Sequence, residues 1–154
     1  MNYELIINST STEVVLALLK NKQLIELHKE KHDNDFSVGD VYVGKVRKVI
    51  PSLNAAFINV GYEKDAFLHY LDLGPQYRSM NGYIQKTLKG KQSSASLASS
   101  KIEADIDKHG KIKDILSSSQ LIAVQIAKEP ISSKGPRLTA EVTLAGRFVV
   151  LVPF

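Results

Sequence analysis

Between Gly39 and Leu144 the sequence holds five short runs in which apolar and polar residues alternate, bounded by glycine, proline or serine. Successive side chains of a strand point to opposite faces, so a period of two marks a sheet with one buried face. In "AAFINV" (55–60), Ala56, Ile58 and Val60 share one face and Ala55, Phe57 and Asn59 the other. In "DAFLHY" (65–70) the apolar set is Ala66, Leu68 and Tyr70, against Asp65, Phe67 and His69. "VGYEKD" joins these runs, and its Gly61 suits a tight hairpin between antiparallel neighbours. "QLIAVQIAKE" (120–129) turns Ile122, Val124 and Ile126 inward, and "RLTAEVTL" (137–144) turns in Leu138, Ala140, Val142 and Leu144. The longest run, "GDVYVGKVRKVIP" (39–51), puts Val41 and Val43 on one face. Val46 joins them only if an extra residue near Gly44 shifts the parity, as a bulge does. Five such strands predict a mainly β chain built on a small closed antiparallel barrel, best matched by the OB-fold.

Phe57 and Phe67 both fall on the polar side of their strands. Exposed phenylalanine is unusual without a use. Parity alone leaves two possibilities open: another part of the chain covers the rings, or a ligand does. The loop "PISSKGP" (130–136) places Lys134 in a turn-rich, solvated position between the last two strands. Lys45 and Arg47 point away from Val46 beyond the bend, and Lys64 and His69 are weaker additions to the same surface. Outward rings with cations at their rim suit single-stranded nucleic acid. Bases stack on aromatic faces for about 1–3 kcal/mol each, and the cations meet the phosphates.

Charge sets one segment apart. Eight basic and four acidic residues between Pro75 and Ser118 account for the whole net charge of +4, and "KGKQSSASLASSK" within it is rich in serine and lysine. Such a composition buries too little apolar surface to order itself. Roughly 84–110 reads as a flexible insertion in a loop, either a solvated linker or a basic tether for polyanions. The sequence has no cysteine, which removes disulfides, thiolate catalysis and sulfur-ligated zinc from these residues. Its four histidines, His28, His32, His69 and His109, show no metal-ligand spacing. No run of about 18 apolar residues crosses a membrane, and "MNYELIINSTST" lacks the basic-then-apolar order of a signal peptide, so a cytoplasmic location is expected.

"VGDVYVGKVRKVIPSLNAAFINVGYEKDAFLHYLDLG" closely resembles the RNA-binding domain of the ribonuclease E and ribonuclease G family of bacterial endoribonucleases, an OB-fold of the ribosomal protein S-one type. "VQIAKEPISSKGPRLTAEVTLAGRFVVLVPF" resembles the continuation in that family, with "PSLNAAF" and "TLAG" as its signatures. The resemblance implies that Phe57 and Phe67 stack RNA bases and that Lys134 contacts RNA. It implies that residues 1–38 are strands of an incomplete RNase-H-like subdomain and that 145–154 begin a sensor of five-prime monophosphates. In the family, cleavage uses magnesium held by aspartates, and a zinc-binding cysteine motif follows them. Both lie beyond residue 154, so this stretch is expected to hold single-stranded RNA, take no cofactor itself and be inactive alone. The full-length protein is expected to form a homo-oligomer. The alternative is a structural or protein-interaction module that organises assembly without stacking RNA.

"EVVLALLKNKQLIELHKE" (13–30) reads by period either as an amphipathic helix or as two strands turning at Asn21. The resemblance favours the hairpin, and Val14 and Val15 lean the same way.

Overall fold

A computed structural model describes residues 1–31, 36–92, 96–97 and 100–154. The chain divides into two units, Met1–Asp35 and Phe36–Phe154.

In the first unit, β1 (Tyr3–Ser9), β2 (Glu13–Lys20) and β3 (Gln23–Lys31) form an antiparallel meander with β2 in the middle. The hairpin reading of 13–30 is the one realised. Asn21 and Lys22 carry φ of 49° and 67°, the pair of left-handed residues that a two-residue turn needs to match strand twist. At the other turn the Thr10 hydroxyl oxygen accepts hydrogen bonds from the backbone N–H groups of Thr12 and Glu13. Leu5, Ile7, Leu24 and Leu27 are exposed.

The second unit contains the closed barrel, β4 (Val41–Ile50), β5 (Ala55–Asn59), β6 (Ala66–His69), β7 (Leu121–Lys128) and β8 (Arg137–Thr139), in the order β4-β5-β6-β8-β7. This is the architecture of an OB-fold. One detail corrects the sequence reading: β6 and β8 run parallel. A closed ring of five strands cannot alternate direction at every seam, so one pairing has to be parallel. Parallel neighbours need a long crossover, and here everything from Tyr70 to Pro136 intervenes.

The core is the inner face of this barrel, with Val46, Ile58, Leu68, Ile122, Val124, Ile126 and Leu138 buried. Parity places the inward residues of β5, β6 and β7 correctly but misplaces those of β4. Val41 and Val43 are exposed, while Gly44 and Val46 point in. The irregularity lies between Val46 and Lys48, so Arg47 rather than a residue near Gly44 is the extra one. Gly44 has a different duty. A Cβ there would stand 2.5 Å from Ile58 Cγ2 and 3.2 Å from Val60 Cγ1, so the absence of a side chain is what lets β4 close on β5.

The last run is corrected too. Leu138, Ala140 and Val142 are buried, but Leu144 is exposed and belongs to β9 (Leu144–Ala145), which pairs with β10 (Val150–Leu151). The chain leaves the barrel after Thr139: the Ala140 N–H donates to the Asp72 carbonyl at 2.7 Å. Buried Gln125 then holds the departing segment. Its Nε2 donates to the carbonyls of Gly39 and Thr143, each at 2.8 Å, and its Oε1 accepts from the Thr143 N–H at 3.0 Å. These hydrogen bonds offset the cost of burying the amide.

The largest correction concerns 75–118. Tyr77–Leu88 forms a helix, α1, whose Tyr77, Met80 and Ile84 recur at helical spacing, with Tyr77 buried. Gln85 Nε2 donates to the Leu121 carbonyl at 2.8 Å, tying α1 to β7. Further on, Ile106, Ile112 and Leu116 are buried in the barrel core. Asn54, at the β4–β5 turn, accepts from the Ile112 N–H at 2.7 Å and donates to the Gly110 carbonyl at 3.1 Å. The Tyr70 hydroxyl donates to the Asp107 carbonyl. Tyr77–Leu88 and 106–116 thus cover one end of the barrel, anchored at several points. Of the expected flexible stretch, 93–95 and 98–99 lie outside the described residues, as does His32.

Candidate nucleic-acid interface

β5 and β6 position the two rings by simple alternation. Ala56, Ile58, Ala66 and Leu68 are buried beneath them, which forces Phe57 and Phe67 onto the outer face. They are directly paired across the strands, with ring centroids 5.9 Å apart and planes at 69°, an edge-to-face arrangement of two aromatic quadrupoles. Both rings are half-buried.

The loop between β7 and β8 closes one side of the site. Ile131 and Lys134 bond each other through both backbone groups, N–H to carbonyl at 3.2 and 2.9 Å, so the serines between them form a tight tip and Lys134 leaves it at a defined place. The Pro136 carbonyl then accepts from the Phe67 N–H at 2.9 Å. Between them sits Gly135, where an added Cβ would stand 2.4 Å from the Asp65 carbonyl oxygen and 2.9 Å from that of Lys64. Only glycine allows this loop to lie on the β5–β6 turn. Gly135→Ala is therefore expected to lift the loop, costing about 1–3 kcal/mol of stability through overpacking; chemical denaturation measures it, with a fall in RNA affinity in the same variant.

The result is an open concavity of about 710 Å³ lined by Phe57, Phe67, Lys64, Asp65, Lys134 and Arg137. The structure thus brings four of the residues singled out from sequence, Phe57, Phe67, Lys64 and Lys134, to one place. The other three stand outside it. Lys45 is exposed on the outer face opposite Asn59. Arg47 occupies the bulge, with Nε 3.8 Å from Asp65 Oδ1. His69 has a structural contact: its Nδ1 accepts from the Leu71 N–H at 3.2 Å, which caps the turn of 3₁₀-helix at Tyr70–Asp72.

Two cations near the rings were not singled out from the sequence, although alternation puts Arg137 on the outer face of its strand. Arg137 lines the concavity, and both its Nε and Nη2 donate to Asp72 Oδ2, at 3.2 and 2.9 Å. Lys48 pairs with Phe57. With the bulge set near Gly44, Lys48 falls on the inner face; placing it at Arg47 turns Lys48 outward. A β-strand whose basic residues sit at both parities is the available signal that a bulge lies among them.

Among the described residues no three His, Cys, Asp or Glu side chains gather at a spacing that could hold a metal ion. Among the same residues no helix is long and apolar enough to cross a membrane.

No family model matches the chain. It is 33% identical over 150 residues to ribonuclease G of Haemophilus influenzae, covering 97% of this chain and 27% of that protein. With ribonuclease G of Escherichia coli it shares 31% identity over 153 residues, 99% of this chain and 27% of the relative. With ribonuclease E of Synechocystis it shares 37% over 118 residues, 76% of this chain and 14% of the relative. The chain therefore spans about a quarter of the length of the ribonuclease G relatives it matches. Similar to both enzymes, and to ribonuclease G along nearly all of its own length, it belongs to the ribonuclease E and ribonuclease G family.

Proposed function

We propose that the barrel binds single-stranded RNA and holds it as substrate for a ribonuclease of this family, in RNA processing and decay. The observation that carries the reading is the half-buried Phe57–Phe67 pair opening into a concavity that also receives Lys64 and Lys134. A base laid on the open side of either ring covers aromatic surface that faces the concavity, for about 1–3 kcal/mol per base. Lys134, fixed by the tight tip and by Gly135, meets a phosphate beside it. Stacking is indifferent to base identity because every base has a π-face, and the phosphate contact carries no sequence information. The surface accordingly holds RNA broadly and leaves the selection of cleavage sites to other parts of the enzyme. The relatives' names support the RNA-directed role.

Lys134 gives the electrostatic test. Lys134→Ala is expected to weaken binding of labelled single-stranded RNA by a similar factor for every sequence. It should also lower the slope of log affinity against log salt by about 0.7, the value per phosphate contact on a single strand. Fluorescence anisotropy across a salt series measures both. Unchanged affinity and slope would remove Lys134 from the interface.

A further inference from the structure

We infer that RNA crosses the barrel at right angles to its strands, along one row of paired residues, and that Lys48 and Arg137 grip its phosphates on either side of the rings. This rests on the reading of the barrel as an RNA-binding surface. The row is read from strand register: Lys48 opposite Phe57, Phe57 opposite Phe67, Phe67 opposite Arg137, and Arg137 opposite Lys128. Directly opposed residues share a face of the sheet. The contact between the two rings shows which face it is.

The pattern along this line is cation, ring, ring, cation, cation, without a carboxylate in it. Neighbouring strands lie about 4.8 Å apart, so the path over the barrel surface from Lys48 to Arg137 is roughly 14 Å, the reach of a few nucleotides. That places one positive charge ahead of the stacked bases and one behind them. Lys45, opposite Asn59, lies off the line, and Arg47, the extra residue of the bulge beside Lys48, has its Nε 3.8 Å from Asp65 Oδ1.

Arg137 is built for the task. Asp72 takes two of its five N–H donors at one carboxylate oxygen, and the arginine side chain stays 48% exposed. The remaining donors form a fork whose orientation is set before any ligand arrives, so little side-chain entropy is lost on gripping a phosphate. Lys48, exposed at the other end, supplies a mobile point charge.

The test uses the whole chain and a fluorescein-labelled single-stranded 12-mer RNA, with affinity measured across a salt series. Lys48→Gln and Arg137→Gln should each lower the salt slope by about 0.7 and the double variant by about 1.4, the value per phosphate contact on a single strand. Lys108→Gln should leave it unchanged, since Lys108 lines a separate concavity with Tyr70 and Glu141. Thermal melting checks the Arg137 variant; Lys48, being exposed, carries the test if that variant unfolds. If Lys48→Gln keeps the wild-type slope, or Lys108→Gln lowers it equally, the proposed course is wrong. The variant carrying Phe57→Ala and Phe67→Ala separates the two levels. Weak binding by it together with normal slopes in the row variants overturns the path alone, whereas normal binding by it overturns the RNA reading as well.

Discussion

Replacing both Phe57 and Phe67 with alanine is expected to weaken binding of single-stranded RNA by about 30-fold to several hundred-fold, the loss of roughly 2–4 kcal/mol of base stacking. Stability should change far less than is usual for a lost phenylalanine. Phe→Ala in a core costs about 3–5 kcal/mol because a cavity remains, but these rings stand on the outer face, half-buried, above a core completed by Ile58 and Leu68. Their removal uncovers surface without hollowing the barrel. Anisotropy titration and a thermal melt on the same variant therefore separate function from fold.

The second large effect is expected in the cover over the barrel end. Ile112→Ala should destabilise the protein by about 2–5 kcal/mol, the range for truncating a buried isoleucine, as measured by chemical denaturation. Ile112 is fully buried in the barrel core, and its N–H is the donor that Asn54 accepts. A loosely attached insertion would show almost no loss. The variant thus measures how firmly 106–116 closes its end of the barrel.

How far the sequence could be read follows from the range of the forces involved. Where one face of a strand packs on the core and the other faces out, parity is enough, and Ile58, Leu68 and Ile126 with their outward neighbours Phe57 and Phe67 were legible at once. Alternation fails wherever an extra residue enters the ladder. At Arg47 it moved Val41 and Val43 from inside to outside and hid Lys48. The cover was illegible for a different reason. Its anchors, Ile106, Ile112 and Leu116, are few and set among polar residues, and Asn54, more than fifty residues earlier, holds the Gly110 carbonyl and the Ile112 N–H. The parallel seam between β6 and β8 needed no extra residue information, since it follows from closing a ring of five.

The site divides along the same line. Phe57, Phe67 and Lys134 were reachable from parity, loop chemistry and family resemblance together. Arg137 was legible as outward-facing but not as part of the site, because what makes it distinctive is its pairing with Asp72 at 2.9 Å, a contact across 65 residues of chain.

Whether bases lie against the rings is open to direct observation. The emission of 2-aminopurine depends on what stacks on its face, so this base, built into a single-stranded RNA, reports the contact itself. Saturating wild-type chain is expected to change the emission, and the variant with Phe57→Ala and Phe67→Ala, compared at equal bound fraction, is expected to leave it unchanged. The same change in both, or RNA bound by the wild-type chain with no change at all, would contradict stacking.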